Sequence, residues 1–475
     1  MASAYPELGT FVRNLTTSSS VPSIRFQNDI WIYVITLIVL SSSVTILLPL
    51  AQREVKVPIP LAANVANKKS RKEAYCFDSR ATLKQGYDQF KDKPFGVDSM
   101  EGVKLIVPMS FLDKLRSHPS LSFQKSIDND LMRAYTGIGG IDTFGVNVIT
   151  KNFNPTIPSA FVMHDEEASN NSDWLKIIED YVIQAAGYAQ ALKTWPPFLR
   201  PFVCRFLPHR REMSRQWSSA RAIVKATLDA KRSGAKSISN PPTILDHLTS
   251  GPNEERIRDL DAQLQQQLLL AVASIHTTSS SVLHCLYDLA ARPEYVSELR
   301  QEAKEVLEAC GGVFTKEGLG RLEKLDSFMK ESQRLCSPDL TTFQRMAVKP
   351  LTLPDGTYVP AKTKLEIATS AINIDGTYFE NPETFDGLRF YRRRQNGESN
   401  LIYTSVGRTN LGWGVGRHAC PGRFLADVEI KIIIAELLLR YDIKNPEGQG
   451  RYKNFEFEAI VFPDPEAKIM LKAIE

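Results

Sequence analysis

Apolar residues recur along this chain at helical spacing over most of its length and at strand spacing over one short stretch. Asp173–Lys193 and Glu212–Lys231 carry the pattern of helices with one apolar face. A third run extends from about Glu255 to Ala291. In it Leu268, Leu269, Leu270, Val272, Ile275, Val282, Leu283 and Leu286 surround the axis, as expected of a helix that crosses the interior of a domain. Ala291-Arg292-Pro293-Glu294 stops this run and opens another helix, because proline fits the first helical turn and breaks later ones. Strand signals cluster in 342–370, as Thr342–Ala347, Leu351–Leu353, Thr357–Val359 and Lys364–Ala368 around the turn Pro354-Asp355-Gly356. The expected fold class is mostly α with a small β region. From about Asn373 to Gly416 the pattern fades, and so long an irregular stretch inside a core domain usually carries function.

Near the N-terminus the pattern changes in kind. Ile30 to Leu50 is an uncharged apolar run, and at about 1.5 Å per residue it reaches roughly 31 Å, the thickness of a bilayer core. It predicts a single N-terminal transmembrane helix. A cleaved signal would start closer to residue 1 and be shorter. Arg13 and Arg25 precede the span, whereas Arg53, Lys56, Lys68, Lys69, Arg71 and Lys72 follow it, so the bulk of the chain is expected in the cytosol. The expected layout is a luminal segment 1–29, the span 30–50, a stiff proline hinge 51–60 at Val57-Pro58-Ile59-Pro60, and one large domain 61–475. Asn14-Leu15-Thr16 is then a luminal glycosylation sequon, while Asn170-Asn171-Ser172 faces the cytosol and stays unmodified.

Composition narrows the function classes. With 475 residues, 43% hydrophobic and 24% charged, the chain can bury a large core. A net charge of +4, from 58 Lys and Arg against 54 Asp and Glu, argues against a nucleic-acid partner. Six scattered cysteines without a CxxC are expected to be reduced thiols.

One of those cysteines has unusual company. Trp413-Gly414-Val415-Gly416-Arg417-His418-Ala419-Cys420-Pro421-Gly422-Arg423 is a glycine-rich loop that leads into a helical pattern from Phe424. Glycines let such a loop turn back on itself, and the amides of a helix N-terminus favour a thiolate. No His–Asp pair or second cysteine stands nearby in sequence, so protease and disulfide chemistry have little support. A lone thiolate suits a single axial metal bond, and a haem needs only one protein ligand on its proximal face.

The segment resembles the haem-binding loop of the cytochrome P-450 family, and the match extends over nearly the whole chain. The family pattern has an aromatic residue seven before the cysteine, a glycine four before, a basic residue two before and a glycine two after. Here these are Trp413, Gly416, His418 and Gly422 around Cys420. The resemblance implies the cytochrome P-450 fold, haem b as cofactor and Cys420 as the axial ligand of its iron. His418, in place of the common arginine, is expected to make a contact with a haem carboxylate more sensitive to pH. Glu331 and Arg334 share one helix face, an arrangement that alone means little. The segment Asn381–Phe390 resembles the family's Pro-x-x-Phe…Arg-Phe stretch, which implies a buried Glu331–Arg334–Arg389 cluster as a structural lock. Gly387 stands where many relatives carry proline.

Ala273-Ser274-Ile275-His276-Thr277-Thr278 falls where the family has a small pair, an acid and a threonine above the haem. The hydroxyl is kept at Thr277 and the acid is replaced by His276. The resemblance makes Thr277 a residue that orients water for proton delivery, although a helical threonine also bonds back to an upstream carbonyl. For His276 a proton relay and a simple groove residue stay open. The implied reaction is monooxygenation of a lipophilic small molecule, with electrons from a separate NADPH-linked reductase and with cytochrome b5 admitted as a second donor. The site of action is the endoplasmic reticulum membrane. By family position the pocket walls come from about 110–145, Tyr181–Phe206, Ala273–Thr277 and Ser337–Thr342, and the helix and loop motifs resemble fungal secondary-metabolism members that oxidise terpenoid skeletons. The alternatives are a haem-thiolate isomerase or dehydratase that uses no O₂, and a non-enzymatic haem binder.

Overall fold

The computed structural model describes residues 68–139, 172–233 and 259–474. The Ile30–Leu50 span, the 51–60 hinge and the sequons at Asn14 and Asn170 lie outside the described residues. By its packing the chain divides into Val57–Asp464 with Lys468–Glu475, which holds every element below, and Met1–Lys56 with Pro465–Ala467.

Described helices of seven or more residues are α1 (Lys68–Phe77), α2 (Ser79–Phe90), α3 (Phe123–Asp130), α4 (Ser172–Lys193), α5 (His209–Arg232), α6 (Leu260–Ala291), α7 (Val296–Ala309), α8 (Glu323–Leu335), α9 (Arg389–Gln395) and α10 (Arg423–Arg440). A five-stranded sheet has the order β1 (Phe95–Ser99), β2 (Gly102–Ile106), β7 (Lys364–Ile367), β4 (Thr342–Ala347), β3 (Leu121–Ser122). Only its β2–β7 pair is parallel. Three antiparallel pairs complete the β structure: β5 (Leu351–Thr352) with β6 (Tyr358–Val359), β9 (Phe455–Phe457) with β10 (Ile460–Phe462), and β8 (Tyr441–Lys444) with β11 (Met470–Ala473). The fold is mostly helical, as the apolar spacing predicts. The strands outside 342–370 are not legible from that spacing. β1 is buried along its whole length, so its residues do not alternate, and Gly96 and Gly102 dilute the strand signal in β1 and β2.

α6 organises the site. Asp259 caps it, its carboxylate accepting from the backbone N–H groups of Asp261 and Ala262. Its N-terminal part, through Leu264, Leu268 and Leu269, belongs to a core shared with α4 and α5. Its C-terminal part, through Cys285, Leu289 and Ala290, belongs to a second core shared with α7, α8 and α10. Between them, from Leu270 to Leu283, no residue is buried. The helix therefore bridges two cores as an interior helix, and its middle is only partly covered, with Ala271, Val272 and Ile275 packing against the first core and Val282 against the second. Its apolarity would also allow a membrane crossing, with a mean hydropathy of 1.3, but the two cores account for both apolar ends.

Candidate active site

The Cys420 loop is held from three sides. Gly414 and Gly416 have φ of +76° and +61°, values that only glycine adopts cheaply. They fold the loop so that Cys420 N–H donates to the Trp413 carbonyl at 2.7 Å and Ala419 N–H to the Gly416 carbonyl at 3.1 Å. Trp413 is fixed in turn, its Nε1–H donating to the Tyr403 carbonyl at 2.7 Å and its ring standing edge-on to Tyr403 at 5.2 Å. The indole donor is thus spent on the backbone and is not directed at the sulfur. Tyr403 N–H donates to Asp326 on α8, which also pairs with Arg394 and Lys431. Lys431 lies on α10, the helix that begins just beyond Cys420, so one buried acid ties α8, α9 and α10 to the loop. Sequence reasoning missed Asp326 and Lys431, since single charges on amphipathic helices look like surface residues.

Burial pushes the Cys420 thiol up, and the N–H groups of Gly422 and Arg423 together with the Arg423 guanidinium only partly pull it back. The helix N-terminus alone therefore does not make a thiolate here. A bound metal ion would do so, because coordination removes the thiol proton.

Beside the loop stands a group of cations. His418 packs against the Phe123 ring at 5.1 Å and accepts from Arg417 Nε at 3.1 Å. Burial and the charges of Arg345 and Arg417 lower its pKa to about 4 in the absence of a haem carboxylate. Arg345, missed by sequence reasoning, is 3% exposed, lies over the Phe123 and Phe343 rings, and has no carboxylate within 4.0 Å among the described residues. A bulge in β4 between Thr342 and Arg345, with Phe343 at φ +57°, aims it. Arg423 Nε is also buried without a partner. Buried Arg345 and half-buried Arg423, without acid partners among the described residues, beside the half-buried Cys420 thiol fit a haem, which brings two carboxylates and an iron.

On α6, Ala273, His276 and Thr277 are all exposed on one side of the middle of the helix. Thr277 Oγ1 donates to the Ala273 carbonyl at 2.5 Å, and Ser281 Oγ to the Thr277 carbonyl at 2.9 Å. His276 makes no hydrogen bond among the described residues. One step along the helix a cavity of about 10 Å³ is lined by Ser281, His284, Cys336 and Pro338.

The structure brings Glu331, Arg334 and Arg389 together. Glu331 is fully buried and accepts from Arg334 Nε and Nη2 at 2.8 and 2.7 Å and from Arg389 Nε at 3.1 Å. The remaining guanidinium donors reach backbone carbonyls of Asn373, Pro382, Glu380 and Thr384. Gly387, the departure from the proline pattern, has a local cause. A Cβ there would meet Phe328 at 2.6 Å, and its N–H donates to Tyr295 Oη at 3.1 Å, a bond that proline lacks.

This combination of a mostly helical fold, a long bridging helix and a cysteine loop in a cationic pocket defines a haem-thiolate protein. The cytochrome P-450 family model matches residues 156–471, and the chain belongs to that family. It is a monooxygenase, and its cofactor is haem b. Similar proteins include the cytochrome P-450 monooxygenase braC of Annulohypoxylon truncatum, 30% identical with 89% of this chain and 94% of that protein covered. The monooxygenase olcJ of Penicillium canescens is 31% identical, with 82% of each chain covered. An ent-kaurene oxidase of Gibberella intermedia is 29% identical over 84% of each. A crystal structure of a cytochrome P-450 aligns with a TM-score of 0.60 at 16% identity, covering 89% of this chain and all of that one, which shows the shared fold.

Proposed function

We propose that this chain oxidises a lipophilic small molecule, a terpenoid or related secondary metabolite, at a haem held by Cys420, with electrons from an NADPH-linked reductase and cytochrome b5 as an accessory donor. The observation that carries this reading is the Cys420 loop itself, a half-buried thiol on a glycine-built turn beside Arg345, Arg417 and Arg423, none of which pairs with an acid among the described residues. A bound haem supplies the activation of O₂ and the insertion of one oxygen atom into a C–H bond. The chain supplies the rest. Cys420 would hold the haem iron, the Trp413–Tyr403 contact and Gly416 and Gly422 hold the loop, and Arg345, Arg417 and His418 would receive the haem carboxylates. The Glu331–Arg334–Arg389 cluster fixes the floor behind the loop. Thr277 turns its hydroxyl from the Ala273 carbonyl to a water and orders the proton delivery that O–O cleavage requires, and His276, exposed beside it, is open to join that relay.

Membrane residence at the endoplasmic reticulum is part of the proposal, with the Ile30–Leu50 segment as anchor, the domain in the cytosol and Asn14 glycosylated in the lumen. It draws support from Trp195, Phe198, Phe202 and Phe206, the last 84% exposed, interleaved with Arg200, Arg205, Arg210 and Arg211. Aromatic and basic residues mixed on a surface suit the water–lipid boundary. Relatives named as ent-kaurene oxidases support a diterpene-like skeleton.

Two measurements test the reading. The reduced carbon monoxide complex should show the strongly red-shifted Soret band of thiolate ligation, and Cys420→Ser should abolish it; persistence of the band in that variant removes Cys420 from the iron. Cells that express the chain with a reductase and are fed a panel of terpenoids should yield oxygenated products that carry label from ¹⁸O₂.

A further inference from the structure

A second cavity, of about 20 Å³, lies between α8 and the 409–412 segment that leads into Trp413. Six of its nine lining residues are buried, and Gln333, Thr409 and Gly412 are partly open to solvent. A water needs about 10–15 Å³, so the space takes one small ion or molecule and no more.

The polar groups around it fall into two kinds. Arg334 donates to Glu331 and to three backbone carbonyls, and the Asn373 and Asn410 amides donate to the carbonyls of Arg334 and Asn400. Those donors are spent. The Lys330 ammonium, the Gln333 amide and the Thr409 hydroxyl line the same space and have no hydrogen-bond or ion-pair partner among the described residues. Lys330 is only 4% exposed, and its nitrogen stands 5.2 Å from the centre of the Phe390 ring. A Cβ at Gly412 would meet the Gln333 amide carbon at 2.7 Å, so glycine makes the room in which that amide stands.

Charge points the same way. Asp326, one turn before Lys330, pairs with Arg394 and Lys431, and Glu331 pairs with Arg334 and Arg389. Neither acid is left for Lys330. Burial, with the charges of Arg394 and Arg393 and against the pull of Asp326, lowers its amine to about 7. A buried ammonium without a counter-charge is costly. A water accepts hydrogen bonds from three such donors but brings no charge, whereas an anion does both.

We propose that this cavity binds one small monovalent anion of chloride size, held by the Lys330 ammonium, the Gln333 amide and the Thr409 hydroxyl, and that the anion clips α8 to the segment that carries Trp413 and the cysteine loop.

The test measures the line width of the ³⁵Cl resonance in the presence of full-length holoenzyme in its reduced carbon monoxide form, which keeps the iron diamagnetic and its open position filled. Chloride that exchanges onto a fixed site broadens the line. The wild type should broaden it in excess of Lys330→Met, and added bromide should remove the excess. Lys316→Met, which removes an exposed ammonium, should behave as the wild type does. Thr409→Val keeps the ammonium and should weaken chloride about tenfold. Transfer of haem to excess apomyoglobin should be several-fold slower in chloride than in gluconate at equal ionic strength, for the wild type and not for Lys330→Met. Equal line widths in the wild type and Lys330→Met would show that the cavity holds water alone, and haem transfer that ignores chloride would show that no anion clips the loop. Either result overturns the proposal. If Lys330→Met does not fold, unchanged chloride affinity in Thr409→Val overturns it in the same way.

Discussion

At the scale of single residues, the hydroxyl of Thr277 has two competing partners, and the chemistry depends on which one it keeps. In the structure it donates to the Ala273 carbonyl, a bond worth only about 1 kcal/mol net, so a water at the exposed side of the helix can compete for it. If that water delivers protons, Thr277→Ala should bind haem and substrate nearly as well as the wild type yet lose coupling. The ratio of product formed to NADPH consumed should fall several-fold while hydrogen peroxide rises. His276→Ala should repeat this only if the exposed imidazole takes part in the relay. An unchanged ratio in Thr277→Ala would remove the role given to that residue and favour oxygen-independent isomerisation.

At the scale of elements, two buried networks fasten the helices around the site. In the Glu331 cluster the arginines carry one more charge than the acid, and backbone carbonyls offset the excess. Removing one partner of such a buried group costs about 3–5 kcal/mol, so Arg334→Ala should lower both the melting temperature and the haem content of purified protein. Normal values for both would show that α8 and α9 do not depend on it. The C-terminal half of α6 offers a pH test. His284 is 1% exposed, its Nε2 has no partner, and burial with the charges of Arg451 and Arg80 lowers its pKa to about 3. The folded state thus binds fewer protons than the unfolded state, whose histidine titrates near 6.5. Stability from this residue is complete above pH 6.5 and declines as pH falls towards 3, by about 2 kcal/mol at pH 5. Replacing His284 with Gln should flatten the fall of melting temperature between pH 6.5 and 5, and a slope equal to the wild type would show that the histidine stays accessible to protons.

At the scale of the whole molecule, orientation follows from charge around the apolar span. On the membrane reading proposed above, six basic residues just after it against two before it predict a cytosolic catalytic domain. Protease added to intact microsomes should digest that domain and leave a fragment carrying Asn14 protected, whereas full protection of the domain would reverse the topology. Much of this protein is legible in its amino-acid sequence alone. Cys420 with its glycines, the order Glu331, Arg334, Arg389, Cys420, and the boundaries of α4, α5 and β4 are all local patterns, fixed by helical period, strand alternation and the φ that a turn demands. Arg345, Asp326 and Lys431 are not legible there. Each is an ordinary charged residue in its own segment, and what makes it special is burial contributed by elements tens to hundreds of residues away. The same holds for the middle of α6, whose leucines and valines surround the axis and are only partly covered. The period of a helix depends on its own residues. Whether a given face meets a core or an internal cavity depends on what the rest of the chain brings against it, and only the tertiary structure decides that.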